Sequence, residues 1–574
     1  MLEIDSIPAL LERRAEQQPD DIAYTFIDYE SDAEGIEESL TWSEVRDRVN
    51  VVAATLLKNA APGDRAVILA PQSIEYVIGF LGAIQAGLIA VPLPVPLGGG
   101  LDERVVGALR DCTPVAVLTN AAVVEDIRRY LATLGGDRSP RVIEVDALDF
   151  FSPPPAIAPN AHPTKTAYLQ YTSGSTRQPA GVMISHRNVI VNLEQALYDM
   201  FEAYGHAAPG DTTVVSWLPF YHDMGLILGV FMPLAMGRPG VLMSPISFLQ
   251  RPARWMQNLA RNTGAFTAAP NFAYHLAAAR TTDEDLAGLS LAGVYVMTNG
   301  AERVHGATMR RFAERFASFG LPPSAIRPSY GLAEATVYVV GSPGGRPATE
   351  VTFDLERMSA GHAEARTDGG SDQVGCGNPR SCDVRIVDPE QLAELPAGEV
   401  GEIWVHGDQV SAGYWRNPEL TARTFGGQLS SPSDGTPAGP WLRTGDLGMI
   451  YDDELYIIGR IKDLLIVDGR NIYPDDIEAT VIGITGGRVA AVSVPDEASE
   501  RLIVLAELRK YDAEQLPDLK GEVIAAVSKA HAVRVAEVVL LDPGSLPITT
   551  SGKVRRSASM DRFRTGELSP LGVS

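Results

Sequence analysis

A loop rich in hydroxyl groups lies between two apolar runs of the sequence. The runs cover 167–171 and 182–184, and the loop reads Thr-Ser-Gly-Ser-Thr-Arg-Gln-Pro-Ala-Gly over 172–181. This arrangement predicts a strand, a loop and a second strand. Hydroxyls and backbone N–H groups that a glycine leaves accessible suit phosphate oxygens. The candidate phosphate ligands are Thr172, Ser173, Gly174, Ser175 and Thr176.

The composition of this loop also permits a less specific interpretation. A lone Thr-Ser-Gly-Ser-Thr sequence is more often a hydroxyl-rich surface turn than a ligand site. A Walker A loop is excluded, because that loop ends in Gly-Lys-Ser or Gly-Lys-Thr and leads directly into a helix. Here Gly181 is followed by Val182 and Met183, which extend a strand. A nucleotide bound at this loop would be held in another way.

A second stretch, Arg-Pro-Ser-Tyr-Gly-Leu-Ala-Glu-Ala-Thr at 327–336, offers three groups suited to a nucleotide. Tyr330 has a flat face for a base, and Gly331 allows close approach of the backbone. Glu334 supplies a hard oxygen ligand of the kind that Mg²⁺ prefers. A glutamate near a tyrosine means little alone. Its position after the hydroxyl-rich loop makes chance a poor explanation.

Together these stretches resemble the adenylate-forming superfamily, which includes acyl-CoA synthetases and the adenylation domains of peptide synthetases. Members usually carry a lysine at the end of the loop, whereas this chain has Pro179-Ala180-Gly181. This loop sequence resembles that of the fatty acyl-AMP ligase branch. The segment at about 341–376 resembles the insertion that distinguishes this branch from CoA-using relatives, with loop padding as the alternative. The resemblance runs from about Ile7 to Arg556.

The resemblance implies roles for individual residues. In Tyr-His-Asp-Met-Gly-Leu at 221–226, His222 would lie beside the acyl phosphate, although a lone histidine is more often a satisfied core residue. Lys553, after Pro547 and Gly552, matches the adenylation lysine, although a lysine on such a loop is usually just solvated. The implied catalytic residues are Lys553, His222 and Glu334, with Glu334 also the metal ligand. The implied hinge is Lys462.

The binding residues follow from the same comparison with the superfamily. The implied contacts to ATP or AMP, besides the loop, are Asn299, Gly300, Ala301, Tyr330, Gly331, Asp446 and Arg460. Asp446, in Thr-Gly-Asp, would take the ribose hydroxyls with Arg460. The implied acyl-pocket residues are Met224, Leu226, Ile227 and Phe272. For the stretch around Phe272 a helix start at Pro270 explains the sequence equally well, so only a lining role is expected there.

Alternating apolar segments predict the fold. Strands at 65–69, 90–95 and 115–119 alternate with helices at 73–86 and 101–111, which indicates parallel sheets in α/β layers. Short strands at 384–388, 401–406 and 413–415 suggest a small β-barrel. The predicted fold is α/β, with two domains. Residues 1–461 form a large domain of layered α/β subdomains plus the barrel, and residues 462–574 form a small mobile α+β lid.

Length, charge and composition exclude several other classes of protein. A chain of 574 residues is too long for one core, and a net charge of −24 leaves no basic stripe for nucleic acid. Three cysteines are too few and too scattered for a disulfide framework or a zinc site. The apolar run 225–243 contains Pro233, Arg238 and Pro239, so a buried core segment is favoured over a membrane span. With acid instead of base near the N-terminus, a cytoplasmic location is expected.

The resemblance implies an enzyme that converts a fatty acid and ATP, with Mg²⁺, to acyl-AMP and pyrophosphate. Its acyl group would pass to the phosphopantetheine arm of a separate acyl carrier protein, or of a carrier domain of a polyketide or lipid synthase. Because carriers are usually acidic, docking would need a basic patch, for which the candidates are Lys553, Arg555, Arg556, Arg562 and Arg564. Two alternatives stay open: a long-chain fatty acyl-CoA ligase of the same fold, and a non-catalytic adenylate-binding protein. The latter would be expected to lack Lys553 or Glu334.

Overall fold

The computed structural model describes most of the chain. The described residues are 4–96, 102–134, 139–157, 164–172, 179–467, 470–495, 500–509, 511, 513–531, 533–548 and 553–572. The loop residues 173–176, which are candidate phosphate ligands, lie outside these ranges, as does Gly552.

The first part of the chain alternates helices and strands as its sequence predicts. Its elements are α1 Ile7–Gln17, β1 Ile22–Asp28, β2 Ile36–Thr41, α2 Trp42–Leu57, β3 Arg65–Ile68, α3 Ile74–Gln85, β4 Ile89–Pro92, α4 Glu103–Cys112, β5 Ala116–Thr119, α5 Val124–Leu134 and β6 Arg141–Glu144. Helix α2 begins at a capping box, in which the side chains of Thr41 and Glu44 each accept the other residue's backbone N–H.

The central part contains the two strands that flank the hydroxyl-rich loop. Its elements are β7 Thr166–Tyr171, β8 Gly181–Ser185, α6 His186–Met200, β9 Thr213–Ser216, a π-helix Gly225–Phe231, α7 Met232–Met236, β10 Gly240–Met243, α8 Pro245–Gln250, α9 Ala253–Arg261, β11 Ala265–Pro270, α10 Asn271–Arg280, β12 Val294–Gly300, α11 Gly306–Ala317, β13 Ile326–Tyr330 and β14 Val340–Gly341. Every residue of the π-helix is buried, in agreement with the predicted core segment.

Two large sheets form the core of this domain. The six-stranded sheet has the order β6-β5-β3-β4-β7-β8, and the eight-stranded sheet has the order β14-β13-β12-β11-β9-β10-β1-β2. Helix α3 is apolar and buried along almost its whole length and contacts β3 and β4 of the first sheet and β1 of the second. A helix that is apolar on all sides must be covered on all sides, and here the two sheets and helix α2 cover it.

The strands β13, β12, β11 and β9 are parallel neighbours in the eight-stranded sheet. Their carboxyl ends therefore meet at one edge of the sheet, which is where ligands bind in open α/β folds. The segments that follow these strands carry Gly331, Ala301, Phe272 and His222. The topology thus collects four separate sequence motifs at one place.

A smaller β unit follows after residue 341. A three-stranded antiparallel sheet, β16-β15-β17, lies within the segment that resembles the branch-specific insertion. A four-stranded antiparallel sheet, β18-β19-β20-β21, occupies the region predicted as a β-barrel. The elements are β15 Glu350–Phe353, α12 Leu355–Ser359, β16 Ala365–Arg366, β17 Ser371–Val374, β18 Asp383–Val387, β19 Gly401–His406, α13 Pro418–Phe425, β20 Leu442–Tyr451 and β21 Glu454–Arg460.

The stretch 413–415 does not form the predicted short strand. Instead, Tyr414 makes an isolated bridge with Val182, and the N–H of Trp415 donates to the carbonyl of Gly181 at 2.7 Å. The residue types at 413–415 are compatible with a strand, so the sequence alone favours one. The actual pairing depends on β8, which is distant in the sequence. This contact joins the small β unit to the end of the hydroxyl-rich loop.

The C-terminal part has a hydrophobic core of its own. Its elements are β22 Leu465–Val467, β23 Arg470–Ile472, α14 Pro474–Thr485, β24 Gly486–Pro495, β25 Glu500–Leu508, α15 Leu516–His531, β26 Val535–Leu541 and α16 Arg556–Arg564. A hairpin β22-β23 and a three-stranded sheet β24-β25-β26 give it an α+β architecture. Within the described ranges, none of the helices has the length and apolar character needed to cross a membrane.

Candidate active site

Tyr330, Asp446 and Arg460 are linked by direct contacts. The Tyr330 hydroxyl donates to Oδ2 of Asp446 at 2.7 Å, and Nε of Arg460 lies 3.0 Å from Oδ1 of the same carboxylate. Asp446 and Arg460 are cross-strand partners on β20 and β21, and Tyr330 is the last residue of β13. Burial, together with the charge of Asp446, raises the pKa of the Tyr330 hydroxyl well above its usual value, so it stays a donor.

In the segment after Tyr330, the backbone of Gly331 packs closely against the backbone of Val337. A Cβ on Gly331 would lie 1.6 Å from the carbonyl oxygen of Val337, so no side chain fits at this position. Glu334 lies on a short 3₁₀ turn, where its Oε1 accepts the hydroxyl of Tyr414 at 2.7 Å. Burial raises the pKa of the Glu334 carboxyl, although the Tyr414 hydrogen bond acts in the opposite direction.

The turn after β12 brings a carbonyl group to the site in an unusual backbone conformation. Asn299 is fully buried, and its Nδ2 donates to Oδ1 of Asn271 at 3.3 Å. Gly300 follows in close contact with Ser329, whose Oγ a Cβ would approach to 2.7 Å. Ala301 has φ = +65°, which is rare for a residue with a side chain and is found preferentially at functional sites.

Lys553 reaches this turn from the C-terminal domain. Its Nζ donates to the carbonyl oxygen of Ala301, in a contact between residues 252 positions apart in the chain. Burial lowers the pKa of the Lys553 ammonium, and the negative charge of Glu302 is the strongest influence in the opposite direction. A half-buried lysine between a carbonyl and a carboxylate is a preorganised cation.

His222 and its neighbour Asp223 form a second polar pair at the same edge. Nδ1 of His222 lies 2.6 Å from Oδ1 of Asp223, which also accepts the Met224 N–H at 2.7 Å. Burial alone would raise the pKa of Asp223, but the adjacent His222, its hydrogen bonds and Lys553 together lower it. Asp223 therefore stays ionised beside the histidine.

Apolar residues continue from this pair into the core. Met224, Leu226 and Ile227 are buried in the cluster that the two large sheets share. Phe272 is half-buried at the start of α10, and its ring lies edge-on to Trp217 with centroids 6.2 Å apart. Its N–H donates to Oε1 of Glu302 at 2.7 Å, which ties α10 to the turn that Lys553 contacts.

A model of the AMP-binding enzyme family matches residues 11–415, which is more than half of the chain. The chain belongs to the AMP-binding enzyme family. A second model, of the AMP domain of Disco-interacting protein 2-like proteins, matches residues 462–571.

Individual relatives of this family narrow the assignment. The chain is 55% identical to "Long-chain-fatty-acid--AMP ligase FadD26" of Mycobacterium marinum, with 99% of both chains covered. It is 52% identical to "Putative fatty-acid--CoA ligase fadD25" of Mycobacterium tuberculosis, again with 99% of both covered. A fatty acyl-adenylate ligase from L. pneumophila, solved with acyl adenylate and pyrophosphate, aligns with a TM-score of 0.73 and 32% identity. That alignment covers 100% of this chain and 98% of the other.

These findings confirm the resemblance to fatty acyl-AMP ligases and the predicted α/β fold with a large N-terminal and a smaller C-terminal domain. The chain is an enzyme of the fatty acyl-AMP ligase branch of the AMP-binding family. The roles of the individual site residues stay predictions, because nothing in the comparisons tests them.

Most of the predicted site residues in this AMP-binding enzyme lie around one edge of the large sheet. Thr172 precedes the undescribed part of the loop, and its N–H points to the carbonyl of Ala180 at 3.4 Å. Lys462 lies on a 3₁₀ turn directly after Arg460, at the start of the C-terminal domain. Burial lowers the pKa of the Lys462 ammonium, and the positive charge of Arg460 lowers it further.

Three polar residues at the site, Asp223, Glu302 and Tyr414, are not among the site residues predicted from the sequence. Asp223 was part of the Tyr-His-Asp motif but received no role, and Tyr414 was assigned only to a strand. Glu302 directly follows the implied nucleotide contacts Asn299, Gly300 and Ala301, and the resemblance implies no role for it. A buried acid directly beside a candidate histidine is a signal that could have identified Asp223.

The predicted basic patch is wrong in part. Arg556 is paired with three carboxylates, those of Asp463, Asp475 and Glu478, at 2.7–3.0 Å. These carboxylates raise the pKa of the Arg556 guanidinium against the effect of burial. Lys553 points into the site instead of to solvent. A run of basic residues cannot reveal which of its members meet acids from other elements. The exposed members of the patch are Arg555, Arg562 and Arg564.

Proposed function

We propose that this enzyme activates a fatty acid with ATP to acyl-AMP and then transfers the acyl group to the phosphopantetheine thiol of an acyl carrier protein, one that serves a polyketide or lipid synthase. The observation that carries the first half is the meeting of Lys553 with the turn at Ala301, beside the linked Tyr330, Asp446 and Arg460. One face of the site thus suits a nucleoside, and the half-buried ammonium of Lys553 suits the reacting phosphate.

In the proposed first step, a carboxylate oxygen of the fatty acid attacks the α-phosphorus of ATP. A bond forms between that oxygen and the phosphorus, the bond to the bridging oxygen of the β-phosphate breaks, and pyrophosphate leaves. Two anions must meet, so orientation and positive charge supply most of the rate enhancement. Lys553 stabilises the charge that develops between carboxylate and α-phosphate.

The nucleoside has its own set of proposed ligands. Asp446 and Arg460 take the ribose hydroxyls, and Tyr330 offers its ring to the adenine beside the close-approach position at Gly331. Asn299 has a buried Oδ1 with no hydrogen-bond partner among the described residues, which suits the exocyclic amine of adenine. The hydroxyl-rich loop 172–176 takes the phosphates.

Mg²⁺ is proposed as the ion that accompanies ATP. Among the described residues, no three His, Cys, Asp or Glu side chains converge on a metal site. A single carboxylate fits Mg²⁺, which usually keeps several waters and binds one or two carboxylates plus substrate phosphates. Glu334 would supply the carboxylate oxygen that Tyr414 does not occupy. When bound, the ion neutralises phosphate charge.

In the proposed second step, the carrier thiol attacks the acyl carbonyl carbon. A thioester forms, AMP leaves with the mixed-anhydride oxygen, and the thiol proton is released. The exposed Arg555, Arg562 and Arg564 on and beside α16 are the remaining candidates for docking an acidic carrier. The proposed division into a domain 1–461 and a lid 462–574 would let the lid change position between the two steps.

The insertion supports the proposal of carrier transfer over CoA transfer. Its Phe353 and Met358 are fully buried against the four-stranded sheet, with the Phe353 ring edge-on to Tyr451 at 5.1 Å. On its other side, Nδ2 of Asn471 points to the carbonyl of Ser359 at 3.4 Å. An ordered segment that contacts the start of the lid restricts the rotation that a CoA ligase uses in its second step.

A product assay with CoA present or absent tests the proposed function. The enzyme is incubated with ATP, Mg²⁺ and fatty acids of several chain lengths, and products are identified by mass spectrometry. We expect acyl-AMP under both conditions and little acyl-CoA. A carrier protein bearing phosphopantetheine should become acylated, and the same carrier without the arm is the matched control.

The CoA-ligase alternative is favoured by one observation, the 52% identity to a relative named as a putative fatty-acid–CoA ligase. Abundant acyl-CoA from the unmodified enzyme would establish that alternative. Binding of acyl-AMP without its formation from ATP and fatty acid would instead establish a non-catalytic adenylate-binding protein.

A further inference from the structure

One carboxylate, that of Asp476, joins three separate parts of the chain. Asp476 lies in the first turn of α14 in the C-terminal domain. Its Oδ1 lies 2.5 Å from a terminal nitrogen of Arg303, which belongs to the large domain. The same Oδ1 accepts the hydroxyl of Ser371 at 3.0 Å, and Ser371 lies on β17 of the insertion.

This contact is buried from solvent. The side chains of Arg303 and Asp476 are 11% and 9% exposed. Nε2 of Gln373 donates to Oγ of Ser371 at 2.7 Å, so the hydroxyl that faces Asp476 is itself held in place. A buried ion pair with a further hydrogen bond is costly to break, because removal of one partner leaves an uncompensated charge.

Arg303 lies next to the point at which Lys553 contacts the large domain. It is two residues after Ala301, whose carbonyl accepts the Lys553 ammonium, and Glu302 lies between them. One short segment, 301–303, therefore contacts the C-terminal domain twice. One contact is made with Lys553 and the other with Asp476, on different elements of that domain.

We propose that Arg303 and Asp476 are positioning residues for acyl-AMP formation. Their ion pair, supported by Ser371, fixes the C-terminal domain in the orientation that places Lys553 against the segment 301–303. Among the described residues, no hydrogen bond or ion pair joins Arg303 or Asp476 to Tyr330, Asp446 or Arg460. It acts on the reaction through Lys553 alone. This inference rests on the proposed role of Lys553 and adds the contact that delivers it.

Arg303→Met is the first test. The substitution keeps the apolar stem and removes the charge, so the C-terminal domain loses its anchor near the site. The kcat of acyl-AMP formation should fall by up to about 10²-fold, the cost of displacing a catalytic group by about 1 Å. The KM for ATP should stay within about twofold of the wild-type value, because the nucleotide ligands are untouched. Arg303→Lys, which keeps the charge, should restore part of the rate.

A double-mutant cycle separates positioning from a general structural role. Because the ion pair acts through Lys553, Arg303→Met should cause no further loss in a Lys553→Ala background, measured by single-turnover acyl-AMP formation. A residue that merely supports the fold would lower the rate in both backgrounds. Arg315→Met is the matched control, since Arg315 pairs with the exposed Asp283 within the large domain at 2.8 Å. It should leave kcat unchanged.

Several outcomes would overturn the inference. Additive losses in the cycle, or a wild-type kcat for Arg303→Met and for Asp476→Asn, would assign these residues to structure only. An unaffected Lys553→Ala variant would also remove the route by which they act. By contrast, a wild-type enzyme that forms no acyl-AMP would refute the proposed function itself, and the wild-type assay is therefore run first.

Discussion

The proposed nucleotide ligands and the proposed catalytic lysine meet in one site but are held there by different means. Tyr330, Asp446 and Arg460 lie on strands within the large domain and contact one another at 2.7 and 3.0 Å. Lys553 lies just before α16 of the C-terminal domain and touches the large domain at the carbonyl of Ala301. The first group is fixed by the strands that carry it, and the second depends on how two domains fit together.

This difference separates binding from chemistry. Groups fixed within the large domain are ready for ATP before the C-terminal domain is in place. In the proposed reaction, a lysine brought by another domain is available only in one relative orientation of the domains, so it can act in one half-reaction and leave for the next. Changes in the first group should therefore appear mainly in KM, and changes in the second mainly in kcat.

The largest effect is expected for Lys553→Ala. Loss of one preorganised charge contact typically slows a reaction by about 10²–10³-fold, and the kcat of acyl-AMP formation should fall by that factor. The KM for ATP should change little. Release of pyrophosphate is the measurement, with thermal unfolding to verify the fold.

Lys529→Ala is the control for this substitution, because Lys529 is an exposed lysine of the same domain, on α15. It should retain the wild-type rate. If the kcat of the Lys553→Ala enzyme stays within a few-fold of the wild-type value, Lys553 has no part in the mechanism. The proposed division between binding residues and a catalytic lysine would then be wrong.

Asp446→Ala tests the other side of the comparison. A hydrogen bond to a charged group contributes about 1.5–3 kcal/mol, so the KM for ATP should rise about tenfold or more. The KM for the fatty acid should rise less, because the lost contacts are on the nucleotide side. Initial rates at varied ATP and at varied fatty acid give both constants. Equal increases in the two would mean that Asp446 does not bind the ribose.

The sequence predicts well what local patterns determine. The alternation of strands and helices from Arg65 to Thr119 follows from apolar periodicity, and the caps at Thr41 and Ser185 follow from side chains three residues apart. The motifs also identify the residues around the Ala301 turn. Each of these signals lies within one short segment of the chain.

Contacts between distant residues escape this kind of prediction. Tyr414 binds Glu334 across 80 residues, and its segment pairs with β8 instead of forming a strand with its neighbours. Arg556 was predicted to face a carrier, yet it is neutralised by three acids from the start of its own domain. Periodicity and composition describe a residue's own segment, whereas these outcomes depend on which segment lies opposite.

In the proposed function, the insertion limits how freely Lys553 and the C-terminal domain can leave the site. Removal of about 352–367 takes away α12 and its contact with Asn471, so the C-terminal domain should rotate more easily. We expect the deletion variant to form several-fold more acyl-CoA than the wild-type enzyme, measured by mass spectrometry with CoA present. Weak thioester formation suffices as support.

This deletion also removes Phe353 and Met358 from a buried cluster. A second variant, Asn471→Ala with Tyr473→Phe, removes only hydrogen bonds to Ser359 and Met358 and keeps that cluster intact. If both variants fold and neither raises acyl-CoA, the insertion does not limit the rotation.

The smallest effect concerns the protonation of Lys553. Charged side chains of the large domain shift the pKa of this lysine of the C-terminal domain. The lysine must be protonated to stabilise the phosphate, so the rate should fall as pH rises through its pKa. Burial lowers that pKa, and Arg460 lowers it further. Glu302, Asp223 and Asp446 raise it, with Glu302 the strongest of these.

Glu302→Gln removes the charge of Glu302 but keeps an oxygen that can accept the Phe272 N–H. The pKa of Lys553 should therefore fall, and the alkaline limb of the pH–rate profile should move to lower pH. At pH values well below this limb the rate should change little, because Lys553 is then protonated in both enzymes. Single-turnover formation of acyl-AMP across a pH series gives the profile, and Glu314→Gln, on the exposed face of α11, is the control. An alkaline limb that stays in place, or moves to higher pH, would mean that Glu302 does not set the charge state of the lysine.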